Sequence, residues 1–457
     1  MKMKTLKNIL NVAMSNIVGF GTSFIVGFIL PGILTVAQYG SYRQYTLYLS
    51  FTYLFHLGFA DGIYIKYGGD NINDLDKDIV RNEHNFANAF QFMMFIGMFI
   101  ISLITRDPVL ILFSVVTFFS NVTTYHSNFL QAIGQFKNFT IASMFRSISY
   151  IVLLLIGIFI FQSENYIFYI VLNVISYVLM YLYYEMNFVK QLGFNPSFTV
   201  KDKFEIFRVG FLILLANMSL TFVGNIGSWI ANWGFSIEEF AQYSFQNSVL
   251  NVIILIVNAV ALVFYNLISK TDNPKVANII KRLTLLLGIF GGLGFFVFKW
   301  IIEFFLPNYV PSIELLSITF VSIPYIMISK IVVANLYKAK RGEKKYIRDS
   351  ILYAGLAFAF VFIVFLITQT LAGIAWATTL CYFLWYMYAS RKEFVMLKSD
   401  VSEWLLIISH IVIFYITANY LNIYVGFVLY MVYILAILFL KRVELQDIFQ
   451  QIMKIED

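Results

Sequence analysis

Residues 30–67 read LPGILTVAQYGSYRQYTLYLSFTYLFHLGFADGIYIKY. Residues 35–42, with their Gly and Tyr, read as a short connector. From Arg43 to Lys66 the chain is apolar and of bilayer length, since about 20 residues rising about 1.5 Å each cross the hydrocarbon. Two charges stand in this span, Arg43 and Asp61. They are eighteen positions apart, five whole turns of a regular helix. They are therefore predicted to share a face, with Thr46, Ser50, Tyr53 and Tyr64 inside a quadrant of it. Charge facing lipid is costly. The stripe is expected to face protein or water, and the rest of the chain to build a cavity around it.

The composition fits that environment. Of 457 residues, 60% are hydrophobic and 12% charged, with mean hydropathy +0.78. A soluble domain carries about 25% charged residues, so this is an integral membrane protein. The one cysteine, Cys381, lies in an apolar run and excludes disulfides. The four histidines share no metal-ligand spacing. His56, His126 and His410 read as core or interface residues, and no cofactor or metal is expected. The acidic stretch 70–83 lacks EF-hand spacing, and there is no Walker A motif.

Apolar runs predict an all-α polytopic protein of about 14 transmembrane helices. Their limits are 9–33, 43–66, 86–105, 108–133, 141–161, 165–186, 206–232, 241–268, 281–305, 312–337, 349–369, 371–390, 403–421 and 423–440. Lys2, Lys4 and Lys7 precede a first span too long for a cleaved signal peptide. With the N-terminus in the cytoplasm, 28 of the 32 Lys and Arg fall on the inner side. Only Arg43, Arg106 and Lys299 are outer, and Lys330 stands alone within a span. The positive-inside rule thus accounts for the net charge of +7 without nucleic acid, and places both termini in the cytoplasm. The outer loops are short. Their scattered acids Asp107, Glu164, Glu238, Glu239 and Glu303 form no catalytic set, so the chain is not expected to be an enzyme.

Val36-Ala-Gln-Tyr39 returns as Phe240-Ala-Gln-Tyr243, an offset of 204, with Arg43 matching Asn247. Gly134-Gln-Phe-Lys137 has a weaker echo in Gly342-Glu-Lys-Lys345. This pattern suggests a parallel repeat: a six-helix lobe over 1–200, a second over 201–392, and two further helices with a short cytoplasmic tail over 393–457.

Polar residues recur at helical spacing inside the spans. Asn217, Thr221, Gly224, Asn225, Ser228 and Asn232 make one stripe, and Tyr243, Asn247, Asn251 and Asn258 another. These line a cavity or hydrogen-bond between helices. Thr319, Lys330 and Tyr337 share a predicted face on a helix that Pro324 is expected to kink. Ser15, Gly19, Ser23 and Gly27 suit close helix packing. Arg43 and Lys330 either meet a substrate or snorkel to an interface.

Gln38-Tyr-Gly-Ser-Tyr42 and Leu57-Gly-Phe-Ala-Asp-Gly-Ile63 resemble motifs of bacterial oligosaccharide flippases. These are the Wzx-type polysaccharide transporters of the multidrug/oligosaccharidyl-lipid/polysaccharide exporter superfamily. Gln131-Ala-Ile-Gly-Gln-Phe-Lys137 and Ser236-Ile-Glu-Glu-Phe-Ala-Gln-Tyr243 are similar to further segments of that family, and the resemblance covers roughly residues 5–345. The chain departs from it at Gly227 and Ser228, where many members carry an Asp-Arg pair. It departs again at Val263-Phe-Tyr-Asn-Leu267, which lacks the family's prolines.

The resemblance implies a flippase that moves a polyprenyl-pyrophosphate-linked oligosaccharide from the cytoplasmic to the outer leaflet by alternating access, for surface polysaccharide synthesis. It implies membrane lipids and a polysaccharide polymerase as partners, and the bacterial cytoplasmic membrane as location. A pyrophosphate calls for cations, and Arg43, Arg146, Arg208 and Lys330 are the candidates. The sugars call for amides, and Asn217, Asn225, Asn232, Asn247 and Asn251 are available. Asp61 is the candidate for ion coupling. The alternative is a cation-coupled exporter of small drugs on the same fold. Such an exporter would favour acids in the cavity, where this chain offers only Asp61 and Glu185.

Overall fold

The computed structural model describes residues 21–196, 198–269, 274–339 and 343–446. The fold is all-α, with no strand among these residues, and is that of a polytopic membrane protein. The chain forms two compact units, Met1–Asn225 and Ile226–Asp457.

In the first unit α1 is Gly21–Ile33 and contains a π-helical turn, Ile25–Ile29. It is followed by α2 (Val36–Leu49), α3 (Phe59–Lys66), α4 (Lys77–Thr105), α5 (Pro108–Ala132), α6 (Phe136–Phe159) and α7 (Tyr166–Leu192). Helix α8 (Lys203–Gly234) carries the chain into the second unit, which holds α9 (Ile237–Ser269), α10 (Pro274–Gly291), α11 (Leu293–Phe305) and α12 (Ser312–Val321). Next come α13 (Ile323–Tyr337), α14 (Glu343–Thr368), α15 (Leu371–Tyr388), α16 (Val401–Asn419) and α17 (Ile423–Leu440). Among the described residues eight helices are long and apolar enough to cross a membrane, or up to ten if two bent pairs each count as one span.

Short polar connectors start many of these helices because their side chains accept the first free backbone N–H groups. Asp76, Asp107, Asn165, Thr370, Asp400 and Asn422 cap α4, α5, α7, α15, α16 and α17. Ser236 and Glu239 form a reciprocal capping box on α9, at 3.2 and 3.0 Å.

The expectation for the second span is overturned. Residues 35–42 are not a connector: Thr35 caps α2, accepting from the Gln38 N–H at 3.3 Å, and the helix begins at Val36. Nor does one helix run from Arg43 to Lys66. It ends at Leu49, gives way to a 3₁₀ turn (Thr52–His56), and turns through Leu57 (φ 49°) and Gly58 (φ 87°), both left-handed, before α3. A Cβ on Gly58 would run into the Phe211 nitrogen, one on Gly62 into the Ile206 carbonyl, and one on Gly210 into the Gly58 carbonyl. The glycines therefore serve a backbone-to-backbone crossing of α3 and α8, and the break brings the chain to it. Arg43 and Asp61 stand on two helices separated by this break, so regular five-turn spacing does not relate them.

The same holds for the expected face of Thr319, Lys330 and Tyr337. Helices α12 and α13 meet at a 50° bend at Ser322–Pro324, and Ile328–Val333 is a π-helix. The proline kink is present, but regular periodicity is lost across it. Thr319 instead donates to Gln246 of α9, and Tyr337 donates to Asp349 of α14 at 3.2 Å.

At one end of the second unit Lys281 and Arg282 tie α10 to the last two helices. Lys281 donates to Glu403 at 2.6 Å, and Arg282 reaches Glu403, Asp400 and Glu444 at 3.0, 2.7 and 2.8 Å. The outward faces are apolar, as on α4, where Ile96, Ile100, Ile101 and Ile104 are exposed, as a lipid-facing helix requires.

Candidate functional site

Helix α2 is fixed by buried tyrosines. Tyr42 and Tyr150 of α6 share a hydrogen bond at 2.6 Å, and Tyr45 donates to Asn173 of α7 at 2.8 Å. Each phenol buries its ring and satisfies its hydroxyl, so the contact is both apolar and directional. Arg43 lies beside Tyr42 on the flank of this contact. It is half-buried, its Nε is buried without a hydrogen-bond partner, and no carboxylate among the described residues pairs with it. The hydroxyls expected to share its face turn back onto their own backbone: Thr46 donates to the Arg43 carbonyl at 2.9 Å and Ser50 to Leu47 at 2.7 Å. Tyr64 is exposed.

Asp61 on α3 has a different neighbour, His56. The His56 Nδ1 accepts the Gly58 N–H at 3.0 Å. That bond places the lone pair on Nδ1 and the proton on Nε2, which points at Asp61 Oδ2 from 3.9 Å. The Leu57-Gly58 turn thus also sets the histidine tautomer beside the acid.

The remaining candidates are dispersed. In the first unit, Arg146 stacks over Tyr177 with its guanidinium 4.7 Å from the ring centre. Arg208 is exposed and lies 3.6 Å from Glu205, one turn away. Asn217 is exposed, and Asn225 bonds its own helix at Thr221 O, 2.9 Å. In the second unit Asn247 donates to Ser228 at 2.7 Å, joining α9 to α8. Asn232 is half-buried, and Asn251 is exposed. The stripes are therefore mixed, with some amides spent on packing and Asn217 and Asn251 presenting free edges. The side chain of Asn258 lies outside the described residues, as do Ser15 and Gly19 of the small-residue row, the N-terminal lysines and Gly342.

Lys330 sits in the π-helical stretch of α13. This helix packs against α9, α10 and α15 and is buried at Ile326, Met327, Ile328, Ile331, Val332 and Val333. Lys330 itself is half-buried and has no carboxylate within salt-bridge distance among the described residues. Among the described residues neither Arg43 in the first unit nor Lys330 in the second has a carboxylate within salt-bridge distance; the same is true of Arg146, stacked on Tyr177, and of Lys299, which donates to the Ala418 carbonyl at 2.9 Å.

A further convergence escaped the sequence reading. His84 of α4, His126 of α5 and Glu185 of α7 bring their ligand atoms within 4.8 Å of one another. No motif spacing links them. The α4–α5 hairpin does: His84 lies about 22 residues before its turn and His126 about 20 after it, so antiparallel helices put them at the same depth.

No protein-family model matches the sequence, and no curated protein sequence does. Solved structures do. The chain is similar to the lipid II flippase MurJ in an inward closed conformation, with TM-score 0.66 and 13% identity, over 96% of this chain and 100% of that one. It is also similar to an inward-facing multidrug resistance MATE family transporter of the MOP superfamily, with TM-score 0.55 and 14% identity, over 86% and 99%. A MATE protein in the straight conformation matches with TM-score 0.53 and 14% identity, over 88% and 96%. At these identities the shared property is the fold.

Proposed function

We propose that this protein is a transporter that flips a polyprenyl-pyrophosphate-linked oligosaccharide from the cytoplasmic to the outer leaflet of the bacterial cytoplasmic membrane. It works by alternating access between two lobes, with both termini cytoplasmic. The observation that carries the reading is the pair of uncompensated cations, Arg43 and Lys330. A half-buried charge is stabilised by a partner, and no carboxylate among the described residues pairs with either cation. A pyrophosphate beside either cation would supply that partner through charge-assisted hydrogen bonds. The exposed amides of Asn217 and Asn251 suit sugar hydroxyls, while the prenyl tail stays in lipid. Similarity in fold to a protein named as a lipid II flippase supports the same class of cargo.

A second reading, a cation-coupled exporter of small molecules, has one observation in its favour. Asp61 is a half-buried acid with a histidine beside it, and the fold is also that of MATE transporters. In the flippase reading this acid is the ion-coupling group. The test is loss of the protein in cells that make a surface polysaccharide. Lipid-linked oligosaccharide then accumulates on the cytoplasmic face while its synthesis continues. Normal surface polysaccharide in such cells, with no second flippase gene present, contradicts the proposal. Increased drug sensitivity with normal polysaccharide favours the exporter.

A further inference from the structure

We propose that His84, His126 and Glu185 form a binding site for a divalent transition metal of the Zn²⁺ class, which fastens α4, α5 and α7 together within the first unit. The inference stands apart from the flippase reading and uses none of its residues; Glu185 is the acid that the exporter alternative would count in its cavity.

Both imidazoles aim Nε2 at one carboxylate oxygen. Glu185 Oε1 is 2.9 Å from His84 Nε2 and 3.1 Å from His126 Nε2. The histidines are buried, and the glutamate side chain is 20% exposed. The state of His84 can be read from its surroundings. Asn85 Nδ2 donates to the Asn195 carbonyl, which turns Asn85 Oδ1 toward His84 Nδ1 at 3.3 Å. An amide oxygen only accepts, so Nδ1 carries the proton. Asn88 Nδ2 donates to the His84 carbonyl at 3.2 Å and also faces His84 Nε2 at 3.1 Å. An amide N–H only donates, so Nε2 presents its lone pair. That lone pair therefore meets the lone pairs of Glu185 Oε1 at hydrogen-bond distance, a repulsive arrangement unless a positive charge lies between them. A proton on Nε2 would leave an N–H facing the Asn88 amide N–H. A metal ion would take the Nε2 lone pair in place of the Asn88 contact, with Asn88 keeping its bond to the His84 carbonyl.

The ligand set suits the ion. Two imidazole nitrogens and one carboxylate oxygen are a three-protein-ligand zinc set with a fourth position open, and imidazole selects Zn²⁺-like ions over Mg²⁺ or Ca²⁺. Ligands of a tetrahedral zinc at about 2.1 Å stand roughly 3.3–3.5 Å apart; the carboxylate oxygen would withdraw by a few tenths of an ångström from each imidazole, and the two imidazole nitrogens, within 4.8 Å of one another, would settle to the same spacing. The His84 Nδ1–H to amide-oxygen contact is the outer hydrogen bond that orients a metal-bound histidine. A cleft lined by His126, Asn138, Tyr184, Asn187 and Gln191 gives approach from outside.

The test uses purified full-length protein, stripped with chelator and then given Zn²⁺ alone or Co²⁺ alone. The expected result is one tightly held Zn²⁺ per chain and a higher melting temperature with Zn²⁺ but not with Mg²⁺. Bound Co²⁺ should show the intense visible bands of a four-coordinate ion. His84→Ala and His126→Ala should each weaken Zn²⁺ binding at least tenfold, while His410→Ala leaves it unchanged. Should those variants fail to fold, the Co²⁺ spectrum of the wild-type protein still decides, since ions at surface sites are six-coordinate and pale. The proposal is overturned by absence of stoichiometric Zn²⁺ or by uptake unchanged in both His variants. It is equally overturned by a melting temperature that follows pH through the histidine range but ignores Zn²⁺, which would make the cluster a proton site.

Discussion

Lys330 and Arg43 matter because of what they lack. A lysine that snorkels to an interface keeps its ammonium in water and tolerates neutral replacement. Lys330 instead sits in a π-helical stretch packed against three helices, a local geometry frequent at functional sites. A charge-assisted contact from such a group is worth about 1.5–3 kcal/mol. Lys330→Ala is therefore expected to lower oligosaccharide export about tenfold or more at unchanged protein level, and Lys330→Arg to retain much of it. Arg43→Ala should act in the same direction. Export at the wild-type rate in Lys330→Ala, with normal expression, would return Lys330 to the snorkelling role. At this scale the sequence was partly legible. It exposed Arg43 and Lys330, because charge in an apolar run is conspicuous. It could not show that Asn225 and Asn247 are occupied by protein partners, nor that His84, His126 and Glu185 meet, because those facts belong to packing between helices.

Elements were legible wherever hydropathy alone decides them. The expected spans from 108 onward each fall on a helix or on a broken run of helices among the described residues, and the polar residues between them act as caps. What failed was the assumption that an apolar stretch of bilayer length is one regular helix. Hydropathy measures what a segment can dissolve in, and it is blind to a break such as Leu57-Gly58, where the backbone adopts two successive left-handed residues. The glycine itself was the signal, since it sits in the Leu57–Ile63 motif and permits the crossing with Gly210. Gly58→Ala adds a Cβ against the Phe211 backbone at a position where φ already disfavours it. Overpacking of this kind costs about 1–3 kcal/mol, occasionally more, and here backbone strain adds to it. The expected outcome is a lower melting temperature in detergent and reduced yield of monodisperse protein. A variant as stable as the parent would show that the crossing of α3 and α8 is looser than described.

The whole molecule is a membrane protein with the fold of MurJ and MATE transporters, and the flippase account adds an orientation and a cargo. The expected orientation rests on the fourteen-span reading, which puts 28 of 32 basic residues on the inner side. A membrane-impermeant thiol reagent applied to intact cells should label Cys at Glu238, which is exposed on the expected outer side. It should fail to label Cys at Lys201, exposed on the expected inner side. The native Cys381 is buried and gives little background. The opposite labelling pattern would invert the topology. Cargo is the central claim, and it is tested most directly by reconstituting the purified protein into vesicles that contain a fluorescent polyprenyl-pyrophosphate-linked oligosaccharide, then measuring how much of it becomes accessible from the opposite leaflet. The account predicts movement far above protein-free vesicles, diminished in the Lys330→Ala protein. Movement equal to that of protein-free vesicles, from protein that is folded and correctly inserted, would contradict it.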